Sequence, residues 1–424
     1  MTLRPAIMIV RVITTLACAA QLTGCGGSGG DDDPNGGSSG APVVREQESP
    51  VVREEDLDLG GIEPRAGDVP ETAGDLANGR AVEARRLAEV VIDPSTLDDR
   101  FQAVGLPTGA LTSPTQIANA FASYDPNLFK DRISGAAARR FMGSASDNDI
   151  DMSIYVVSFK DPATAARAVK SISEKDETNS INVFGSVTFG SRTTLAGHPE
   201  VNASLLRTSR EDPAPSLAGH AAYGDLMVSM VIPGRPGKLA LAEQLMSRAF
   251  TEQRAALKGF ESTPLSEIVE LRVDEDGLSM LALSAREGNS KDQEPDVPSI
   301  WGPNGALHQQ TWAGNLREAF ERAELEAMVQ AGSNVYRTGS TEQAKRLLDD
   351  FEETVTQVNY REGNKPRGLS DARCYELVAT SSIGAPHFCQ VQYGRYVAEG
   401  AGKSAADAQA RISAQYLLLQ EELG

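Results

Sequence analysis

Hydrophobic and polar positions follow two periodicities along the chain, that of a strand and that of a helix. Met152 to Phe159 is a run of β-branched and aromatic residues of strand length, and Asp161-Pro162 then opens a helix that continues to about Lys175. The elements predicted next are strands at Ile181 to Phe189, Val201 to Thr208 and Ala221 to Ile232, and a helix from Lys238 to Lys258. The predicted order is β-α-β-β-β-α, preceded by an amphipathic helix from Gly79 to Ile92.

The last third of the chain repeats this order. The pattern predicts a strand at Asn334 to Arg337, a helix from Ser340 to about Val358, strands at Arg373 to Ala379 and Phe388 to Ala398, and a helix from Ser404 to Glu421. Both copies also carry a Tyr-Gly pair, Tyr223-Gly224 and Tyr393-Gly394, which is predicted inside the penultimate strand. Common ancestry and convergence both account for a similarity this faint.

We therefore predict the α+β fold class, with two tandem domains that are each an antiparallel sheet with helices packed on one face. The N-terminal domain is predicted over 56–262 and the C-terminal domain over 263–424, with the joint near Glu261 to Pro264. An apolar fraction of 40% and a charged fraction of 23% are typical of a folded protein, and the length suffices for two domains.

Residues 1–24 have the pattern of a lipoprotein signal peptide. Arg4 and Arg11 form the positive region, Val12 to Leu22 is an apolar run of eleven residues, and Leu22-Thr23-Gly24-Cys25 is a lipobox. The run is shorter than the roughly 20 residues that a membrane-spanning helix needs. We predict cleavage before Cys25 and its acylation by several chains of the palmitate type, which together make an anchor stable. The alternative is an ordinary secretory signal followed by a chance cysteine.

Residues 25–55 are predicted to form a disordered linker rich in Gly, Ser and Asp. Gly26 to Gly40 contains no bulky apolar residue, so this segment cannot bury enough surface to offset the loss of backbone entropy. The run Asp31-Asp32-Asp33 fits a solvated linker better than a calcium site.

The net charge restricts the classes of partner. The formal charge is −19 at pH 7, and the loss of Arg4 and Arg11 with the signal peptide takes it to −21. The folded part is therefore not expected to bind nucleic acid or anionic lipid. The charge favours solubility or a cationic partner.

The four cysteines have different predicted fates. Cys18 leaves with the signal peptide and Cys25 takes the lipid, so Cys374 and Cys389 remain as a pair. In an oxidising compartment such a pair most simply forms a disulfide, which for a loop of about 15 residues stabilises the fold by roughly 3 kcal/mol. The alternative, a redox-active dithiol, is typical of the closer Cys-x-x-Cys spacing.

Motifs that suggest phosphate or metal chemistry are incomplete. Gly400-Ala401-Gly402-Lys403-Ser404 is similar to the end of a phosphate loop, but Val397 stands at the place of the first glycine. We predict a turn there with Ser404 as the helix N-cap, and no nucleotide site. Asp274 to Gly277 and Asp147 to Asp151 each lack positions that a calcium loop needs, so turns are predicted.

Spacing alone assigns no catalytic or metal-binding set. The histidines show neither i, i+4 spacing nor a neighbouring cysteine, and they are His198, His220, His308 and His387. No metal or cofactor is predicted. A Ser-His-Asp set stays open, because its members need not be close in sequence. Trp301 and Trp312 bracket a loop with Gly and Pro, for which packing is the default interpretation and a binding platform the alternative.

Several short segments resemble a known family. They are Leu57-Asp58-Leu59-Gly60 with Pro64-Arg65, Arg86-Leu87-Ala88-Glu89 with Asp93-Pro94, Asp274 to Leu278, and Tyr393 to Ala398 with Ser413 to Tyr416. From Leu57 to Leu419 the chain is similar to an actinobacterial, mycobacterial-type envelope lipoprotein family of unknown function that has two modules. Ile62 departs from this family, which tends to carry an aromatic residue there. The resemblance implies an envelope location and two modules, and it brings no catalytic residues.

These patterns lead to one hypothesis of function with two alternatives. The leading one is a lipid-anchored extracytoplasmic envelope protein, held at the membrane through Cys25, that acts as a non-catalytic binding or interaction module. Its partner would be another envelope protein or a cell-wall component, and neither cofactor, nucleotide nor nucleic acid is expected. The alternatives are a carrier of an apolar or amphipathic envelope ligand and an exported hydrolase. A carrier needs an interior apolar cavity of roughly several hundred cubic ångströms, and a hydrolase needs Ser, His and an acid in a cleft.

Overall fold

A computed structural model describes residues 49–103, 109–120, 126–142, 150–177, 180–181, 187–209, 211–284, 297–312, 315–357, 359–378 and 385–424. These residues belong to one compact unit of the chain, Glu46–Gly424. They form two antiparallel sheets and eight α-helices, and none of these helices is long and apolar enough to cross a membrane. The predicted signal peptide and most of the predicted linker lie outside the described residues.

The first sheet has nine strands, and each is antiparallel to its neighbours. They are β1 (Phe101–Ala103), β2 (Ala110–Leu111), β3 (Arg132–Met142), β4 (Asp151–Phe159), β5 (Ser180–Ile181), β6 (Val187–Thr193), β7 (Asn202–Arg207), β8 (Ser216–Tyr223) and β9 (Leu226–Ile232). Their order in the sheet is β1-β3-β4-β9-β8-β7-β6-β5, and β2 pairs with β3. Strand β3 is absent from the sequence prediction because its centre, Gly135 to Ala138, has a low strand propensity, and pairing with β4 overrides that preference.

The second sheet has seven antiparallel strands. They are β10 (Ser299–Trp301), β11 (Ala327–Gln330), β12 (Asn334–Arg337), β13 (Tyr360–Glu362), β14 (Arg373–Leu377), β15 (His387–Tyr393) and β16 (Tyr396–Gly402). Their order is β10-β11-β12-β16-β15-β14-β13. Six neighbouring strands of the second sheet, β11-β12-β16-β15-β14-β13, have the same order and connections as six neighbouring strands of the first sheet, β3-β4-β9-β8-β7-β6. The predicted tandem α+β organisation is confirmed.

Eight helices pack on these sheets. They are α1 (Leu76–Ala88), α2 (Pro114–Ala120), α3 (Pro162–Asp176), α4 (Leu239–Ala256), α5 (Pro303–His308), α6 (Leu316–Arg322), α7 (Thr341–Gln357) and α8 (Ala405–Leu423). The predicted start of α3 is confirmed, since Asp161 caps it by accepting a hydrogen bond from the Thr164 amide at 2.6 Å.

Helices cover both faces of each sheet, whereas the sequence interpretation placed them on one. Val157 of β4 packs with α3, and Ile154 on the opposite face packs in the cluster that contains α4. In the second sheet, Tyr336 packs with α7 and its neighbour Val335 with α8. The central strands are apolar on both sides, so both sides need a layer of helices to exclude water.

The two sheets share one continuous hydrophobic core. Leu87 of α1 and Phe250 of α4 belong to the same buried cluster as Leu307 of α5 and Phe351 of α7. The two modules are therefore packed against each other through apolar side chains as well as joined in sequence.

In each Tyr-Gly pair the tyrosine ends a strand and the glycine begins a tight turn, so the predicted place of the pair inside one strand is wrong. Gly224 and Gly394 have φ values of +63° and +52°, in the left-handed region that favours glycine. The segments predicted as single strands at Ala221 to Ile232 and Phe388 to Ala398 are the hairpins β8–β9 and β15–β16. A turn of two residues interrupts the apolar alternation too briefly for the pattern to reveal it.

The last residues of the predicted linker and the chain that follows it pack on α8. The carbonyl of Pro50 accepts a hydrogen bond from the Tyr416 hydroxyl at 2.7 Å, and the backbone of Val52 bonds the Gln420 side chain at 2.8 and 3.0 Å. Leu57 is buried in the same cluster as Ile412. The segment from Pro50 to Leu57 thus lies on the helix that closes the second module.

Candidate functional site

A cleft of about 900 Å³ lies between α1, the segment 261–278 and strands β10 and β11, where the two modules meet. Its charged lining comprises eight acidic residues (Glu89, Glu261, Glu267, Glu270, Asp274, Glu275, Asp276 and Glu326) and four basic ones (Arg85, Arg86, Arg272 and Arg337). Arg337 is already paired, at 2.7 Å with Asp276 and 2.8 Å with Glu326. We call this region the acidic cleft.

Glu89 fixes one wall of the acidic cleft. Its carboxylate accepts hydrogen bonds from the amides of Asn304 at 3.1 Å and Gly305 at 2.7 Å, at the start of α5. A Cβ atom at Gly302 or Gly305 would come within 2.6 or 2.4 Å of the Glu89 carboxylate oxygens, so this approach requires both glycines. Burial raises the pKa of Glu89, and the hydrogen bond from Gly305 opposes that rise.

A buried ionic cluster behind this wall joins the modules. Arg140 of β3 bonds Asp93 at 2.9 Å and also donates to the carbonyls of Leu307 at 2.7 Å and Gln310 at 2.8 Å. His308 lies 3.3 Å from the same carboxylate. Burial alone would raise the pKa of Asp93, but the Arg140 charge and the hydrogen bond from His308 outweigh it and hold the pKa well below its usual range. The cleft is therefore built on a rigid junction.

A second cavity, of about 180 Å³, lies between the second sheet and α7. Its floor is a row of polar side chains at cross-strand neighbours on β11, β12, β16 and β15: Gln330, Asn334, Glu399 and Gln390. The Glu399 carboxylate accepts hydrogen bonds from Asn334 Nδ2 at 3.1 Å and Gln390 Nε2 at 3.0 Å. Burial raises the pKa of Glu399, and these two bonds oppose the rise. We call this space the C-terminal cavity.

Aromatic rings form much of the wall of the C-terminal cavity. They belong to Trp312, Tyr336, Phe351, Tyr360 and Phe388. Tyr360 and Phe388 meet edge to face with centroids 5.0 Å apart, and the Tyr360 hydroxyl donates to the Ala385 carbonyl at 2.9 Å. Several lining residues, Trp312 and Tyr360 among them, are half-buried, so the cavity reaches the surface.

Two polar atoms of the C-terminal cavity are buried and have no hydrogen-bond partner among the described residues. They are Oε1 of Gln390 and the ring Nε1 of Trp312. Most buried polar groups in proteins are paired, so an acceptor and a donor left open in one cavity indicate a place for a polar ligand or ordered water.

The fold also assembles a Ser-His-Asp set, in the first module. His220 of β8 lies 2.8 Å from the Ser229 hydroxyl through Nδ1 and 2.8 Å from the Asp176 carboxylate through Nε2. Relative exposures are 1% for His220, 0% for Ser229 and 4% for Asp176. The set lies under α3, where the Ser229 hydroxyl is closed off from solvent and substrate.

Family models cover most of the chain. The N-terminal domain of unknown function DUF7373 matches residues 70–273, and the C-terminal domain of DUF7373 matches residues 280–422. The chain belongs to the DUF7373 family. The DUF7373 N-terminal domain contains the first sheet and the DUF7373 C-terminal domain contains the second, in agreement with the predicted two-module family of unknown function.

One solved structure with a slight likeness is the crystal structure of the extracellular domain of PknH from Mycobacterium tuberculosis. It is 10% identical, covers 41% of this chain and 96% of that chain, and has a TM-score of 0.28. A likeness of this size supports no inference about fold or function. No curated protein matches this DUF7373 chain.

The predicted cysteine pair lies in the DUF7373 C-terminal domain. Cys374 of β14 and Cys389 of β15 face each other across the strands and are joined by a disulfide. Cys25, the predicted acylation site, lies outside the described residues, so its lipidation stays a prediction.

The incomplete motifs of the DUF7373 domains form turns and caps. Ser404 caps α8 by accepting a hydrogen bond from the Asp407 amide at 3.2 Å. Asp274 accepts from the amides of Asp276 at 3.2 Å and Ser279 at 2.7 Å. In the other acidic run Asp151 pairs with Arg139, and residues 147–149 lie outside the described part. Within the ranges that the structure describes, no His, Cys, Asp or Glu side chains group to hold a metal ion.

The two tryptophans of the DUF7373 C-terminal domain differ in role. Trp301 is buried, and its ring nitrogen donates to Gln330 at 2.9 Å, as the packing interpretation predicts. Trp312 lines the C-terminal cavity instead, which agrees with the alternative of a binding platform. Sequence reasoning missed Gln390 and Glu399, because a Gln or Glu within a strand is common and nothing local marks these two as neighbours.

Proposed function

We propose that the protein is a lipid-anchored, extracytoplasmic envelope protein of actinobacterial type that acts as a non-catalytic binding module. The acidic cleft carries this proposal. It is open to solvent and is built on the buried Asp93-Arg140 junction. Carboxylates outnumber basic side chains in its lining by eight to four, so it presents a preformed surface of one dominant charge. A cationic face of another envelope protein or of a cell-wall component complements such a surface.

Two features support an extracytoplasmic location. The lipobox that ends at Cys25 follows a positive and then apolar segment. The disulfide between Cys374 and Cys389 is of the kind that persists in oxidising compartments.

The geometry favours a non-catalytic role over the hydrolase alternative. A serine nucleophile must reach a substrate carbonyl, and an oxyanion hole must lie beside it. Ser229 is fully buried beneath α3 and does not line the acidic cleft or the C-terminal cavity. The cluster of Asp176, His220 and Ser229 is better explained as a satisfied polar part of the core.

The carrier alternative receives less support. The acidic cleft is lined by charged side chains, which disfavour an apolar ligand. The C-terminal cavity measures about 180 Å³. Pockets for drug-sized ligands occupy roughly 300–1,000 Å³, so this space suits a single ring better than an acyl chain.

The anchor is tested by labelling cells with an alkyne analogue of palmitate. The full chain is expected to take up the label and to sediment with membranes, whereas Cys25→Ala loses both properties. Cys18→Ala is the matched control and keeps both, since Cys18 leaves with the signal peptide. A wild-type chain without label, recovered in the cytoplasm, contradicts the proposal.

The binding role is tested by a photo-crosslinking amino acid placed in intact cells. At Glu275, an exposed residue of the acidic cleft, we expect a consistent crosslink to one protein or glycan. At Lys170, an exposed residue of α3 outside the cleft, that crosslink should be absent. Recovery of only bulk lipid from the Glu275 position would count against a binding module.

A further inference from the structure

We propose that the C-terminal cavity binds one neutral sugar ring of a glycan. The inference deepens the binding role proposed above by naming a ligand class, and it rests on that role. It is argued from the two unpaired polar atoms, the aromatic walls and the size of the cavity.

The unpaired atoms require a ligand that both donates and accepts hydrogen bonds. Gln390 is only 2% exposed, and its Nε2 is held by Glu399, so the amide is oriented and its Oε1 is left as an acceptor. Trp312 contributes a donor without a partner among the described residues. A hydroxyl group donates to the first and accepts from the second, an ammonium group cannot accept, and an ionised carboxylate or phosphate cannot donate.

Charge separates the remaining classes of ligand. Glu399 lies in the floor between Asn334 and Gln390. Each of these two amides donates a hydrogen bond to one oxygen of the Glu399 carboxyl group. An anionic ligand would meet this carboxyl group in a poorly hydrated space, with no Lys or Arg among the described residues that line the cavity, and this disfavours phosphates and carboxylates. An acyl chain would leave the polar atoms of Gln390 and Trp312 unpaired, and burial of an unpaired polar group disfavours binding.

Shape and size agree with a single ring. At roughly 30 Å³ for each water molecule, a cavity of about 180 Å³ holds about six waters, which is the scale of one six-membered sugar ring. A sugar ring has an apolar face of C–H groups and a rim of hydroxyls. The rings of Phe351, Tyr360 and Phe388 offer the apolar counterpart of that face, and the polar floor offers the counterpart of the rim.

The test titrates the full chain, purified in detergent micelles, with the methyl glycosides of glucose, galactose, mannose and N-acetylglucosamine. Isothermal calorimetry and tryptophan fluorescence are the readouts. We expect at least one glycoside to bind saturably and to change the fluorescence. Trp312→Phe keeps an aromatic ring, although a smaller one, removes the N–H donor and should weaken binding at least fivefold. It also leaves Trp301 as the chain's single tryptophan, so the fluorescence change should vanish.

A second variant fills the cavity without touching its polar floor. Val355 lines the cavity from α7, and Val355→Phe should weaken binding at least tenfold. The matched control is Val51→Phe, the same substitution at a residue that is 83% exposed, and its affinity should stay within twofold of wild type. Thermal melts establish that each variant is folded, and Trp312→Phe decides the matter if Val355→Phe does not fold.

Three results would overturn the proposal: no binding of any of the four glycosides, binding unchanged in both cavity variants, or displacement of the bound glycoside by methylammonium. Its failure is separate from failure of the proposed function. A chain that is acylated and crosslinks a partner but binds no glycoside loses only this site. A chain that binds a glycoside at the cavity but carries no acyl group loses the anchor and keeps the site.

Discussion

The hairpins β8–β9 and β15–β16 carry polar pairs at matching positions. Counting from the turn glycine, the residue four places before and the residue five places after are His220 and Ser229 around Gly224, and Gln390 and Glu399 around Gly394. In both hairpins the two residues are direct cross-strand partners. Each pair lies on the sheet face that is covered by the helix following β4 or β12.

The helix that covers each pair determines whether its polar groups find a partner within the protein. Asp176 of α3 reaches His220 at 2.8 Å and completes a closed cluster. Asp176 stands fifteen positions after Asp161, the residue that precedes α3. The residue fifteen positions after Ser340, which precedes α7, is Val355, and it lines the C-terminal cavity. One backbone plan thus gives a satisfied polar core in one module and an open polar cavity in the other, because a buried polar group needs a partner from the protein or from outside it.

The largest expected effect concerns the disulfide between Cys374 and Cys389, a feature of the second sheet that the matching positions of the first sheet lack. Removing it in the double variant Cys374→Ala and Cys389→Ala should lower the free energy of unfolding by about 3 kcal/mol, because a loop of about 15 residues is released in the unfolded chain. Urea unfolding measures the change. Wild type with a reductant is the control and should match the double variant.

The first sheet has Ala203 opposite Gly219 at the matching positions. A Cβ atom at Gly219 would lie 2.9 Å from both Met246 and Phe250, so helix α4 leaves no room for a bridge there. A double variant as stable as oxidised wild type would contradict the stabilising role of the disulfide in the second sheet.

The next effect concerns the closed cluster. Asp176→Asn should cost about 2 kcal/mol, because hydrogen bonds to charged groups contribute about 1.5–3 kcal/mol and His220 is too buried to find water instead. The matched change in the other hairpin, Glu399→Gln, should cost less than about 1 kcal/mol, since burial already disfavours its charged form. Equal losses of unfolding free energy in the two variants, measured by urea unfolding, would contradict this difference between the two hairpins.

The turns should behave alike in the two modules. Gly224→Ala and Gly394→Ala should each cost about 1–2 kcal/mol, the strain of a side chain in the left-handed region. A Cβ atom at either glycine meets no other atom within 4 Å, so strain is the only term. Thermal melts of the two variants should agree, and a large difference between them would show that the hairpins are not equivalent.

The smallest effect is a dependence of stability on pH. Because burial raises the pKa of Glu399, the folded state binds this proton more tightly than the unfolded state, whose pKa is near 4.5. Glu399 therefore lowers stability as pH rises from below that value through the raised folded pKa. The difference in unfolding free energy between wild type and Glu399→Gln should show this slope as the pH rises above 4.5. A slope of the opposite sign would mean that the carboxylate is stabilised in the fold.

Much of the fold was accessible from local sequence. Asp161-Pro162 and Ser404 have helix-capping chemistry that depends on a few adjacent residues, and the structure begins α3 and α8 there. The pairing of Cys374 with Cys389 followed from counting thiols. The two-residue turns at Gly224 and Gly394 were missed, because a hairpin and a long strand share the same apolar alternation.

Tertiary structure alone decided which faces meet. The floor of the C-terminal cavity joins Asn334 to Glu399 across 65 positions of sequence, and the junction of the modules joins Arg140 to Leu307 across 167. Helix capping and strand alternation are properties of neighbours along the chain, so they can be read locally. Strand order and the burial of a polar side chain depend on contacts between distant residues, and these arise only when the whole core has formed.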